Sequence, residues 1–153
     1  MLYQAVSLIT DCSIKNFSLL MCNLETAEDA QISFLQEILL HGGHDSPEPW
    51  LNYSSYLRRH APHRKFLLKR LLTKVFKLID IEKHRDNRFY IELHLLMTEL
   101  LDDEDAIEYF ESSVWTARVG RRSAAVYMSW AKRVQDPGSS MKILQRVNIS
   151  TTV

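Results

Sequence analysis

Two groups of residues have spacings that invite a chemical reading. His84-Arg85-Asp86 spells the triplet of phosphoryl-transfer catalytic loops. There the aspartate acts as base, and an asparagine five residues further on holds a metal ion. Ile91 stands at that position, and neither an Asp-Phe-Gly metal site nor a glycine-rich phosphate loop occurs. Asp86 heads an apolar-periodic run, so it reads as a helix N-cap and not as a base. The histidines His41/His44 and His60/His63 have the separation of zinc ligands. Zinc needs about four ligands in fixed geometry. Gly42-Gly43 and Pro62 interrupt the two pairs, and the thiols Cys12 and Cys22 are distant in sequence. No metal and no cofactor is expected. No Gly-x-Ser-x-Gly elbow is present, and both cysteines sit among apolar neighbours, where a thiol tends to be inert. The chain itself reads as non-enzymatic, with no small-molecule substrate.

Charge carries more information. The 153 residues have zero net charge, yet the charges are segregated. From Trp50 to Ile79 stand Arg58, Arg59, Arg64, Lys65, Lys69, Arg70, Lys74 and Lys77, with no acid between them. From Phe89 to Ala117 stand Glu92, Glu99, Asp102, Asp103, Glu104, Asp105, Glu108 and Glu111, with no lysine or arginine. Such runs form solvated helix faces or meet partners of opposite sign. The candidate partner-binding cations are Arg59, Lys65 and Lys69. Tyr90, His94, Tyr127 and Trp130 join them; most of the aromatic rings read as packing, and one or two could face a groove and bind a peptide. The neighbouring acids oppose nucleic-acid binding. The apolar runs are too short and too often charged to span a membrane.

The elements that must carry these residues are helices. Only four glycines and four prolines occur, few for a chain rich in tight turns, and no strand pattern is evident. Thr26 and Asp29 form a capping-box pair ahead of Ile32, Leu35, Ile38 and Leu39, and Gly42-Gly43 ends that helix. A proline at 47 or 49 opens the next helix, which carries Trp50, Tyr53 and Leu57 and breaks at Pro62. A long helix then reaches about Ile81, with Phe66, Leu68, Leu72, Val75, Phe76 and Ile79 turned inward. Asp86 caps the following one. Asp102-Asp103 starts another, running from about Glu104 to Val119, and Gly120 stops it. Ser123 caps a helix to about Gln135, which Asp136-Pro137-Gly138 terminates. Ser139 or Ser140 caps a last short helix to about Val147.

Their second helices repeat. Phe76, Phe110 and Leu144 are 34 residues apart, as are Leu72, Ala106 and Ser140, and Ile79, Ser113 and Val147. That is the tetratricopeptide period, in which small residues let helices approach and bulky ones wedge between pairs. The fold expected is all-α: a tetratricopeptide-like array of about three helix pairs over 46–149. Additional N-terminal helices occupy 1–45, and a tail covers 150–153. An irregular helical bundle is the plainer alternative.

Four segments carry a family resemblance: Pro47–Leu57 (PEPWLNYSSYL), Arg85–Leu100, Asp102–Ser113, and Val126–Val147 with its VYMSWAKRV and KILQRV runs. They resemble the amino-terminal tetratricopeptide domain of spindle-checkpoint kinases. The Pro-Glu-x-Trp-Leu entry and the Asp-Asp-x-x-x-x-x-Tyr-Phe run are similar to the monopolar-spindle (TTK) type. Asp86-Asn87-Arg88-Phe89 is similar to the Bub/Mad type. The TTK type is preferred. The resemblance implies a non-catalytic kinetochore-targeting module, in a parent serine/threonine or dual-specificity kinase whose catalytic domain is separate. It implies a protein partner at the outer kinetochore or a homodimer, and a cytoplasmic and nuclear location with kinetochore enrichment in mitosis. Two thiols with no CxxC pairing agree with a reducing compartment.

Overall fold

The computed structural model describes residue 40 and residues 45–151, the side chains of 148–151 excepted. The expected N-terminal helices, with Thr26, Asp29, Ile32, Leu35, Ile38, Leu39 and Gly42-Gly43, lie outside the described residues. So do Cys12, Cys22, His41 and His44. Every regular element among the described residues is helical. They form two compact units, one ending at Asp80 and the other starting at Ile81.

The first unit is a helical hairpin. Helix α1, Pro47–His60, opens on proline, whose missing amide hydrogen costs nothing in a first turn. Glu48 lies at the positive end of its dipole, and Arg58, Arg59 and His60 lie at the negative end. Pro62 ends it, and a single 3-10 turn, Pro62–Arg64, leads into helix α2, Lys65–Leu78. Trp50, Tyr53, Ser54 and Leu57 are buried on α1. On α2 the buried face is Leu68, Leu71, Leu72 and Val75, an i, i+3, i+4, i+7 stripe. Ile79 continues it. The Asp80 amide donates to Asp45 Oδ1 at 2.7 Å and ties the hairpin's two ends together. The stripe corrects one expectation: Phe66 is 67% exposed, because it stands two residues before Leu68 and so on the opposite side of the helix. Phe76 is half-buried.

The second unit begins with one turn, α3, Ile81–His84, where a continuous helix to Ile81 was expected. Helix α4 spans Arg88–Glu99. Its cap is Asn87, whose side chain accepts from the Phe89 amide at 2.9 Å and the Tyr90 amide at 3.3 Å. Asp86 is therefore not the cap. It lies one residue too early, within the turn that the Asn87 amide closes onto the His84 carbonyl.

Helix α5, Asp103–Tyr109, starts as its acids require, with Asp102 accepting from the Asp105 amide at 2.9 Å. It does not continue as α-helix to Val119. Phe110–Thr116 is a π-helical segment, and Val119 donates to the Val114 carbonyl five residues back. The turn that follows holds Arg118 and Gly120 at φ values of 61° and 59°. A Cβ on Gly120 would lie 3.1 Å from Ile91 and Val126 side-chain atoms. Its amide donates to the Arg85 carbonyl at 3.0 Å. Glycine is needed here both for its backbone angle and for its lack of volume.

Helix α6 is Ala124–Arg133 and helix α7 is Pro137–Thr151. Asp136-Pro137-Gly138 opens α7 and does not merely end α6. Asp136 Oδ2 accepts from the Ser139 amide at 2.9 Å and from the Ser139 hydroxyl at 2.7 Å. Ser139 and Ser140 thus lie in the first turn, not at the cap, and α7 runs past Val147 into the expected tail. Helices α6 and α7 pack closely, with the Ser140 hydroxyl donating to the Ala131 carbonyl at 3.2 Å. Helix α5 also packs on α6, and α4 on both.

Of the residues spaced by the repeat period, Leu72, Ile79, Ala106 and Phe110 are buried. Ser113, Ser140, Leu144 and Val147 are half-buried, and Ile143 is the buried residue among the described side chains of α7.

Candidate interaction surfaces

The proposed groove rings are core residues. Tyr90, Tyr127 and Trp130 are buried, and His94 is 5% exposed. They offer no open face to a partner, and this corrects their expected binding role. Their spacing was sound as core spacing, since aromatic area is most stabilising when removed from water. His94 Nδ1 and the Tyr109 hydroxyl share a 2.7 Å hydrogen bond, and Tyr90 meets the imidazole edge-on at 4.7 Å. Burial pushes the His94 pKa down to about 3 and raises that of the Tyr109 hydroxyl. Both groups are therefore neutral near pH 7, as a dry interior demands. The pair packs within the core and satisfies one polar atom of each side chain there.

The kinase-like triplet and the described histidine pair are placed as follows. His84 closes α3, and Arg85 Nη2 pairs with Glu82 at 2.8 Å. His60 stacks on Tyr56 at 4.1 Å, and its Nδ1–H donates to the Tyr56 carbonyl at 3.0 Å. His63 Nε2 accepts from Arg64 Nε at 3.3 Å. The pair does not converge. Among the described residues no group of three or more histidine, cysteine or acidic side chains could hold a metal ion. No described helix is long and apolar enough to cross a membrane.

The cations remain on the surface. Arg59, Lys65, Arg70 and Lys77 are exposed, and Lys69 and Lys74 are half-exposed. None of these six makes an ion pair among the described residues. On α2 they fall into two adjacent rows, Lys65-Lys69-Thr73-Lys77 and Phe66-Arg70-Lys74, each stepping by one turn of helix. Arg70 lies over the Phe66 ring at 5.8 Å from its centroid. The rows lie opposite the buried Leu68-Leu71-Leu72-Val75 stripe. The result is a positive strip with an exposed aromatic near one end, about 18 Å long at 1.5 Å per residue.

Arg133 does work that the sequence did not reveal. Its Nη2 donates to the Thr98 carbonyl at 3.0 Å, and its Nη1 to the Leu101 carbonyl at 3.3 Å and Asp103 Oδ1 at 3.0 Å. It adds a donor to the Thr98 carbonyl, which already accepts the Leu101 amide, and one to the Leu101 carbonyl just past α4. Nothing in its local sequence separates it from Arg121 or Arg122.

A second cationic group surrounds Trp115, which the π-helical segment places at the α5–α6 connection. Arg121 and Arg146 lie 5.0 and 4.7 Å from the Trp115 ring centroid, and Arg146 is also 5.0 Å from that of Trp130. Phe110 stacks on Trp130 at 5.7 Å, and the Tyr127 hydroxyl donates to the Arg121 carbonyl at 2.7 Å. Sequence reading missed this group, because Arg146 is distant in the chain and Trp115 lies on no shared helical stripe with it.

Comparison with protein-family models, with curated proteins and with solved structures found no match.

Proposed function

We propose that this chain is a non-catalytic protein-interaction module of tetratricopeptide type that places a mitotic spindle-checkpoint kinase at the outer kinetochore. The observation that carries the interaction role is the cationic strip of α2 with Arg59 of α1, whose side chains make no ion pair among the described residues. Exposed like charges one turn apart repel, which disfavours the isolated helix. An acidic partner segment relieves that repulsion. The kinetochore assignment rests on the resemblance of Pro47–Leu57, Arg85–Leu100, Asp102–Ser113 and Val126–Val147. These segments coincide with α1, α4, α5 with its π-helical extension, and α6–α7.

The test is the full chain, fluorescently tagged, in dividing cells whose spindles have been depolymerised. Enrichment at unattached kinetochores is expected. A variant with Arg59, Lys65, Lys69 and Lys77 all changed to Glu should remain helical and become diffuse. A diffuse signal from the folded unmodified chain refutes the kinetochore reading. Retained enrichment of the reversed variant refutes the role of the strip.

A further inference from the structure

The turn between α5 and α6 concentrates features that are individually unfavourable. Its residues Arg118, Arg121 and Arg122 belong to an acid-free stretch running from Ser112 to Gln135. The Arg118 and Arg122 side chains are exposed and make no hydrogen bond or ion pair among the described residues. Arg118 holds a left-handed backbone angle, which is costly for a residue with a Cβ. Arg121 and Arg146 lie against the same indole, within about 10 Å of each other, as like charges. The buried Arg121 Nε finds no hydrogen-bond acceptor among the described residues. The indole itself is presented by a π-helical segment, a distortion that recurs at functional sites.

Helix packing alone explains the two arginine–indole contacts. It does not explain the exposed Arg118 and Arg122 side chains beside them, the strained backbone, or the lack of an acidic residue within the stretch itself. Contact with the indole leaves in-plane N–H donors of Arg121 available, and the exposed guanidiniums of Arg118 and Arg122 add theirs. Several such donors around one turn suit a compact dianion better than a single carboxylate. A phosphate monoester offers about two charges and three acceptor oxygens, and it pairs with arginine bidentately.

We infer that the Arg118–Arg122 turn, with Trp115 and Arg146, binds the phosphate of a phosphorylated serine or threonine on a partner segment. This site lies wholly in the second unit and does not depend on the role proposed for the first. Arg118 and Arg122 are the contacts that approach from solvent. Arg121 and Arg146 are held in place by the indole and supply the fixed positive field.

The experiment uses the purified full chain and three probes. These are a short peptide with one phosphoserine flanked by leucines, its unphosphorylated twin, and inorganic phosphate. Binding is followed by calorimetry, and the Trp emission is recorded alongside. Saturable binding of the phosphopeptide is expected, on the order of tenfold or more tighter than the twin, because charge-assisted bonds to phosphate are lost in the twin. The Arg118→Ala/Arg122→Ala variant should weaken it by a similar factor, with circular dichroism and melting unchanged, since neither side chain supports the fold. The Trp115→Phe variant should bind with the emission response reduced. Equal binding of the twin overturns the inference. So does phosphopeptide affinity unchanged by the double substitution. Inorganic phosphate binding as tightly as the peptide reassigns the turn to free phosphate and overturns the partner segment.

Discussion

His94 shows how a single residue changes meaning between sequence and fold. Its imidazole is neutral because burial holds its pKa near 3, whereas an unfolded histidine titrates near 6.5. Between those values the unfolded chain binds a proton that the folded chain refuses. This contribution is intact above about pH 6.5 and shrinks as the pH falls toward about 3, by ~1.4 kcal/mol per pH unit at its steepest. The stability difference between the unmodified chain and His94→Leu should therefore shift in the variant's favour on acidification from about pH 6.5 to 4.5. Urea titrations at several pH values would show it, and a pH-independent difference would contradict it. Gly120→Ala should destabilise by ~1–3 kcal/mol, because it adds left-handed strain to contacts that are already tight. Chemical denaturation measures this directly.

At the scale of the element, caps decide where helices start. Asn87→Ala should cost ~1 kcal/mol, whereas Asp86→Ala should cost little, since only the asparagine accepts the two amides of α4. The paired comparison by thermal melting separates the two assignments. Asp86 and Asn87 are both good capping residues, so local chemistry could not choose between them. The turn closed on the His84 carbonyl made the choice. Asp136-Pro137-Gly138 shows the same ambiguity, as such a run both stops one helix and starts another. On α2, Leu72→Ala should cost ~2–5 kcal/mol and leave a cavity, whereas Phe66→Ala should fall within about half a kcal/mol of the unmodified chain. The helical stripe itself was legible. The side of it on which Phe66 stands needed the phase set by Leu68, Leu71, Leu72 and Val75.

The molecule as a whole separates its charges along the chain while its total stays at zero. Reversal of Arg59, Lys65, Lys69 and Lys77 should leave helix content and cooperative unfolding essentially intact, as none of them is ion-paired among the described residues. Association through the strip should weaken steeply as salt rises, because screening shortens the reach of exposed charges to about 8 Å at physiological ionic strength. Titrations of an acidic partner at two salt concentrations would test this.

Sequence by itself determined the all-helical class of the described residues, most helix starts to within a residue or two, the helical spacing of the aromatics and the segregated charge. These follow from local rules: apolar spacing, proline and glycine chemistry, and the alignment of charge with helix dipoles. Tertiary structure decided which of those aromatics are hidden and which polar groups find partners. It turned Tyr90, His94, Tyr127 and Trp130 from candidate groove residues into core, and it left the α2 cations on the surface. It also brought Arg146 to Trp115 and Arg133 to the end of α4. Burial and partnership depend on residues remote in the chain, and no local pattern encodes which remote residue arrives.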